Sequence, residues 1–166
     1  MEVIASYTSV SSGILEGVCI SGGEPTLQKD LAAFLQKIKA LGYPVKLDTN
    51  GYRPQVLKAL VEQQLVDYVA MDIKNAPQRY PQSVGVAVNM DLITESIQFL
   101  VSEPVDYEFR TTVVSELHTV EDIEKIGIAY SNNTFNGATA RAVTISYISL
   151  FSYKSSIHIC HVKYSP

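Results

Sequence analysis

Cysteine is scarce in this chain, and its two copies are poorly placed for joint work. Only Cys19 and Cys160 occur, and two distant thiols make neither a disulfide framework nor a complete metal site. Cys19 lies in the apolar run Gly17-Val18-Cys19-Ile20 and reads as a buried structural thiol. Cys160 stands in His158-Ile159-Cys160-His161, where strand alternation sets His158 and Cys160 on one face and His161 on the other. No metal site is expected there. Long apolar runs are also missing. Nothing approaches the length of a membrane span, and the N-terminus lacks a basic region followed by an apolar stretch. A soluble cytoplasmic protein is expected, with no membrane partner.

Acidic residues are absent from the end of the chain. All 17 lie at or before Glu124, and from Ile128 onward the only charges are Arg141, Lys154 and Lys163. Such a break is unusual within one amphipathic fold. It suggests a domain over residues 1–127 and an atypical Ser/Tyr-rich tail over 128–166. The net charge of −4 gives no general reason to expect nucleic acid as a partner. What remains is globular: 46% hydrophobic residues and a mean hydropathy of +0.09 argue for a real core rather than disorder.

Short apolar runs alternate with helical patterns. Residues 17–21 read as a buried strand, and Leu27, Leu31, Phe34, Leu35, Ile38 and Leu41 then repeat at helical spacing, with Thr26 as N-cap and Gly42 as terminator. Residues 45–47 form a second short strand that stops at Asp48. Pro54 suits the first turn of a helix striped by Val56, Leu57, Leu60, Val61 and Leu65. Residues 66–73 read as a strand covered on both faces and 75–89 as a loop. Asn89 can cap a helix carrying Ile93, Ile97, Leu100 and Val101. A fourth strand spans 105–114, and Thr119 can cap a helix over about 120–127. This alternation implies α/β architecture with a parallel sheet. A partial or full (βα) barrel is favoured over a doubly wound sheet, though periodicity alone does not decide.

Polar clusters close successive strands. Glu24, Asp48 and Asp72 stand 24 residues apart, in Ser21-Gly22-Gly23-Glu24-Pro25, Asp48-Thr49-Asn50-Gly51 and Met71-Asp72-Ile73-Lys74, and Phe109-Arg110-Thr111-Thr112 follows. Ligands of parallel α/β sheets sit at the carboxyl ends of the strands, so these residues are expected to meet around one site. Gly22 and Gly23 let a ligand lie against the backbone. Exposed carbonyls and the Glu24 carboxylate suit a bound ammonium, and Pro25 fixes the turn. The plainer alternative is a strand-to-helix turn with an incidental carboxylate. Asp48 and Asp72 would repel unless a cation or a donor separates them, and a metal ion with carboxylate and backbone-oxygen ligands would do so. Equally, Asp48 and Thr49 can belong to an Asx-type turn, and Asp72 can pair with Lys74. Arg110 can clamp a carboxylate or partner Glu108 or Asp72. His118 reads as a surface residue.

Together the four stretches resemble the radical S-adenosylmethionine superfamily, and within it the glycyl-radical-enzyme activases that serve anaerobic ribonucleoside-triphosphate reductase. GVCISGGEPTLQ, KLDTNG and LVDYVAMDIK carry the resemblance densely between Gly17 and Lys74, and VDYEFRTTVV extends it. It implies a partial radical-SAM-type barrel. Gly22, Gly23, Glu24 and Pro25 would hold the amino group of S-adenosylmethionine, with Asn50 and Arg110 also at the cofactor. Asp48, Thr49, Ala70 (through its carbonyl) and Asp72 would form a monovalent-cation site. The implied partners are a glycyl radical enzyme and a reductant such as flavodoxin or ferredoxin.

The family also implies a [4Fe–4S] cluster held by Cys-x3-Cys-x2-Cys upstream of Gly-Gly-Glu-Pro. No such triplet exists in this sequence, and thiolates are the usual ligands. A family member truncated before its first strand and cluster loop, with a foreign or frame-shifted tail, is therefore expected. Three readings stand open: an activase by descent, a non-catalytic fragment that keeps the cofactor-contacting edge, and an unrelated (βα) enzyme. Missing strands would leave an exposed sheet edge, hence marginal stability or self-association.

Overall fold

Five strands and five helices alternate in a computed structural model that describes residues 16–102, 105–114, 116–131 and 143–147. Strand β1 (Val18–Ile20) leads through a 3-10 turn (Pro25–Leu27) to helix α1 (Leu31–Ala40), then β2 (Val45–Thr49), α2 (Pro54–Glu62) and β3 (Tyr68–Asp72). A second 3-10 turn (Pro77–Arg79) precedes the short α3 (Tyr80–Val84) and the longer α4 (Met90–Ser102). Strand β4 (Asp106–Val113), α5 (Val120–Ser131) and β5 (Val143–Tyr147) complete the described elements.

All neighbouring strands pair in parallel, and their spatial order is their chain order, β1-β2-β3-β4-β5. Right-handed crossovers between strands added always on the same side put every helix on one face. A doubly wound sheet would reverse its order at a switch point. No reversal occurs, so the fold is a partial (βα) barrel. Burial agrees. In β2, Val45, Leu47 and Thr49 are buried under the helices, while Lys46 and Asp48 turn to the other face and stay half-buried. Leu35 of α1, Leu57 of α2 and Leu100 of α4 are the apolar helix residues buried most completely, in one core cluster with Leu47, Val69 and Phe109 of the sheet.

Local sequence explains most boundaries. Gly42, at φ +83°, ends α1 in the left-handed conformation that favours glycine. Pro54 opens α2. The Asn89 side chain accepts from the Asp91 amide at 3.0 Å and caps α4. Three expectations are corrected. Thr26 is no N-cap: it lies in the 3-10 turn and α1 begins only at Leu31, leaving Leu27 59% exposed. The expected loop over 75–89 contains α3. Helix α5 runs to Ser131, past the expected end. Strand β5 falls within the Ser/Tyr-rich tail, among strand-like patches to which the sequence assigns no structure. The His158-Cys160-His161 cluster lies outside the described residues. Among those residues no helix is long and apolar enough to cross a membrane.

Candidate functional site

Glu24 fastens two strand ends together. Its Oε1 accepts from the Thr26 amide (3.2 Å), the Thr26 hydroxyl (2.6 Å) and the Thr49 hydroxyl (2.8 Å), and its Oε2 from the Asn50 amide (2.7 Å). The carboxylate expected to await an ammonium is thus committed to four protein donors. Thr49 in turn accepts from the Gly51 amide at 3.1 Å, and the Asn50 side chain accepts from the Tyr52 amide at 2.9 Å, so the Asx-type turn is built on Asn50 rather than on Asp48, whose oxygens go elsewhere. What stays open is the glycine pair. Gly22 (φ +95°) and Gly23 (φ +51°) are exposed, and a Cβ built on either meets nothing within 4 Å. No backbone hydrogen bond to either is found among the described residues. Their peptide groups are available to a ligand.

A ladder of charge crosses the sheet face opposite the helices. Register and alternation place Cys19, Lys46, Asp48, Ala70, Asp72, Glu108 and Arg110 on that face. Arg110 stands between the two aspartates. Its Nη1 donates to Asp48 Oδ2 at 3.0 Å, while Nε and Nη2 both donate to Asp72 Oδ1, at 3.1 and 3.0 Å. Lys46 Nζ reaches Asp48 Oδ1 at 2.6 Å and lies 3.9 Å from Glu108; Lys74 Nζ reaches Asp72 Oδ2 at 2.9 Å. Burial alone would raise the Asp48 carboxyl, but the Lys46 hydrogen bond and the Arg110 and Lys46 charges outweigh it and hold it below its ordinary value. Burial likewise opposes the Arg110 charge, and the two aspartates overcome it and push its pKa up.

Sequence reasoning brought Gly22, Gly23, Glu24, Asp48, Thr49, Asn50, Asp72 and Arg110 to one sheet edge, and the structure places them there. Pro25 is buried in the turn and Ala70 sits in mid-strand between paired neighbours. Thr49 faces the helix side, away from Asp48. Lys46 was missed, although its spacing of two from Asp48 in a strand was the available signal. His118 was misread. Its Nε2 lies 2.8 Å from the Lys74 carbonyl and its Nδ1 3.1 Å from the Val114 amide, so it straps the loop after β3 to the loop after β4. That network assigns the proton to Nε2. Cys19 is half-buried rather than buried.

A sequential parallel half-barrel, with an open glycine turn and polar groups gathered at its carboxyl edge, defines a small-ligand (βα) scaffold. The family model of the radical SAM superfamily matches residues 1–127. The chain belongs to that superfamily. It is 36% identical over 131 residues to a Methanocaldococcus jannaschii protein named as a glycyl-radical enzyme activating enzyme, covering 76% of this chain and 55% of that one. It is also 36% identical over 111 residues to a 7-carboxy-7-deazaguanine synthase of Koribacter versatilis, covering 65% and 46%. The chain thus spans about half the length of these curated relatives. A solved domain of pyruvate-formate lyase-activating enzyme from Bacteroides vulgatus shares the fold, with a TM-score of 0.62 at 17% identity over 76% of this chain and 77% of that one.

Two groups implied by the superfamily resemblance can be set against these residues. S-adenosylmethionine fits: the glycine turn offers free peptide groups beside the charged strand ends. A [4Fe–4S] cluster does not. Cys19 is the one cysteine among the described residues, no group of three metal-ligating side chains occurs among them, and the full sequence holds no cysteine triplet.

Proposed function

We propose that this chain is the S-adenosylmethionine-holding part of a cytoplasmic glycyl-radical-enzyme activase whose target is anaerobic ribonucleoside-triphosphate reductase. The observation that carries the reading is the open Gly22-Gly23 turn, unbonded and exposed, beside the charged carboxyl edge of the sheet. The name of the Methanocaldococcus relative supports the target class. In this reading the Gly22 and Gly23 carbonyls receive the cofactor ammonium. Pro25, Glu24 and Asn50 hold the turn in shape. Arg110 has five N–H donors, of which three are placed on the aspartates, and the remaining two would take a cofactor carboxylate. Bound there, S-adenosylmethionine supplies the radical chemistry for which the superfamily is named. The cluster and its flavodoxin- or ferredoxin-type reductant belong to that chemistry, and the residues of this chain do not hold the cluster.

Calorimetric titration of the full chain with S-adenosylmethionine tests this. Saturable heat is expected, weakened at least about tenfold by Gly23→Ala, whose methyl would occupy the ligand's approach. No heat at millimolar cofactor would overturn it. The similarity to 7-carboxy-7-deazaguanine synthases favours a second reading, in which the same edge serves a small-molecule substrate rather than a protein glycine. Capture of the chain by anaerobic ribonucleotide reductase, against none by an unrelated glycyl radical enzyme, would separate the two.

A further inference from the structure

We infer that Arg110 is the resident cation of the Asp48–Asp72 pair, so that this chain needs no monovalent metal ion between them. Two carboxylates on neighbouring strand ends demand positive charge, which a bound ion or a side chain can supply. Here every carboxylate oxygen is already matched. Asp48 Oδ1 takes Lys46 and Oδ2 takes Arg110; Asp72 Oδ1 takes two guanidinium donors and Oδ2 takes Lys74. With Glu108 beside Lys46, the cluster around the pair sets Asp48, Asp72 and Glu108 against Lys46, Lys74 and Arg110. An added cation would leave that patch with excess positive charge at close range.

The remaining oxygens expected of a cation site are engaged as well. The Thr49 hydroxyl lies on the opposite face, held between Glu24 and Gly51. Ala70 is fully buried in a strand paired on both sides, where carbonyls are committed to the ladder. The guanidinium also does what a spherical ion does less well. Its planar fork, reaching from β4, fixes the separation of two aspartates on the adjacent strands β2 and β3 through directed donors, and it keeps its charge at every accessible pH. Asp48 and Arg110 are largely shielded, with side chains 15% and 27% exposed, so the contact is more than a surface pairing.

Thermal melts of the full chain in potassium, sodium and choline chloride at matched ionic strength test this without any cofactor, so the outcome is independent of the S-adenosylmethionine reading. The native chain is expected to melt at one midpoint in all three salts. Arg110→Gln, which strips the shared charge from Asp48 Oδ2 and Asp72 Oδ1 and leaves Lys46 and Lys74 on the other oxygens, is expected to gain a saturable rise in midpoint with potassium or sodium over choline. Arg110→Lys, which restores the charge, is expected to lose that response. A saturable, metal-specific rise in the native chain would overturn the inference, as would a folded Arg110→Gln with no cation response. Should Arg110→Gln not fold in any salt, calorimetric titration of the native chain with potassium chloride decides: saturable binding refutes it and its absence supports it.

Discussion

At the scale of single residues, the turn after β2 is the most tightly specified part of the molecule. Gly51 sits at φ +72°, its carbonyl accepts from the buried Ser96 hydroxyl at 2.7 Å, and a Cβ there would run into the Met71 Cε. Gly51→Ala therefore combines left-handed strain with overpacking and is expected to cost about 2–4 kcal/mol in urea unfolding. An unchanged midpoint would show that Met71 swings aside freely. Tyr80 gives a pH-dependent counterpart. Burial, opposed by a Lys74 backbone hydrogen bond and aided by the Asp72 charge, pushes its phenol up to about 12 from 10.0. Between those values the unfolded chain gives up this proton first, so stability falls as pH rises. The contribution amounts to about 2–3 kcal/mol across that window. Stability measured from pH 9 to 12 should fall less in Tyr80→Phe than in the native chain; parallel curves would remove the effect from Tyr80.

At the scale of elements, helix starts are decided by one or two polar side chains. The Thr119 hydroxyl accepts from the Asp122 amide at 3.2 Å, while Asp122 Oδ2 accepts from the Thr119 amide and hydroxyl, both at 2.8 Å. This reciprocal capping box opens α5. Thr119→Ala should lower stability by about 1 kcal/mol and Thr119→Ser should restore most of it, read from unfolding midpoints. Caps of this kind, at Asn89 and Thr119, were legible in the sequence because a short polar residue stood directly before an apolar helical stripe. Thr26 had the same appearance and a different fate. Its hydroxyl is drawn to Glu24, two residues back in the chain, and no local pattern reveals that competition. Long-range pairing was equally hidden. The sequence located Asp48, Asp72 and Arg110 on one edge through strand spacing, but the division of donors among Lys46, Lys74 and Arg110 depends on register across three strands. Helix α3 was obscured by Pro77 and Pro81, which read as loop punctuation yet occupy first-turn positions, where proline is tolerated.

At the scale of the whole molecule, the two edges of the sheet differ in what they expose. Strand β1 is three residues long, and a short edge offers little template for pairing with another chain. Strand β4 is eight residues long and carries Tyr107, Phe109 and Thr111 on its buried side. Its outer backbone groups are covered by β5, which pairs in register from Phe109 with Val143 to Val113 with Tyr147. The acid-free segment after Glu124 thus supplies the strand that shields the longer edge. Deleting everything after Ser131 should leave α5 in place and uncover that row of donors and acceptors. The glutamate and arginine on the open face of β4 face inward to Lys46 and the aspartates, so they offer the bare edge little charge repulsion. The shortened chain is expected to self-associate as concentration rises, with light scattering well above that of the full chain at equal molarity. Thr112→Lys, on the same face as Arg110, should suppress part of the association by placing charge on the exposed edge. Equal scattering from the full and shortened chains at every concentration would show that β5 is not what protects β4.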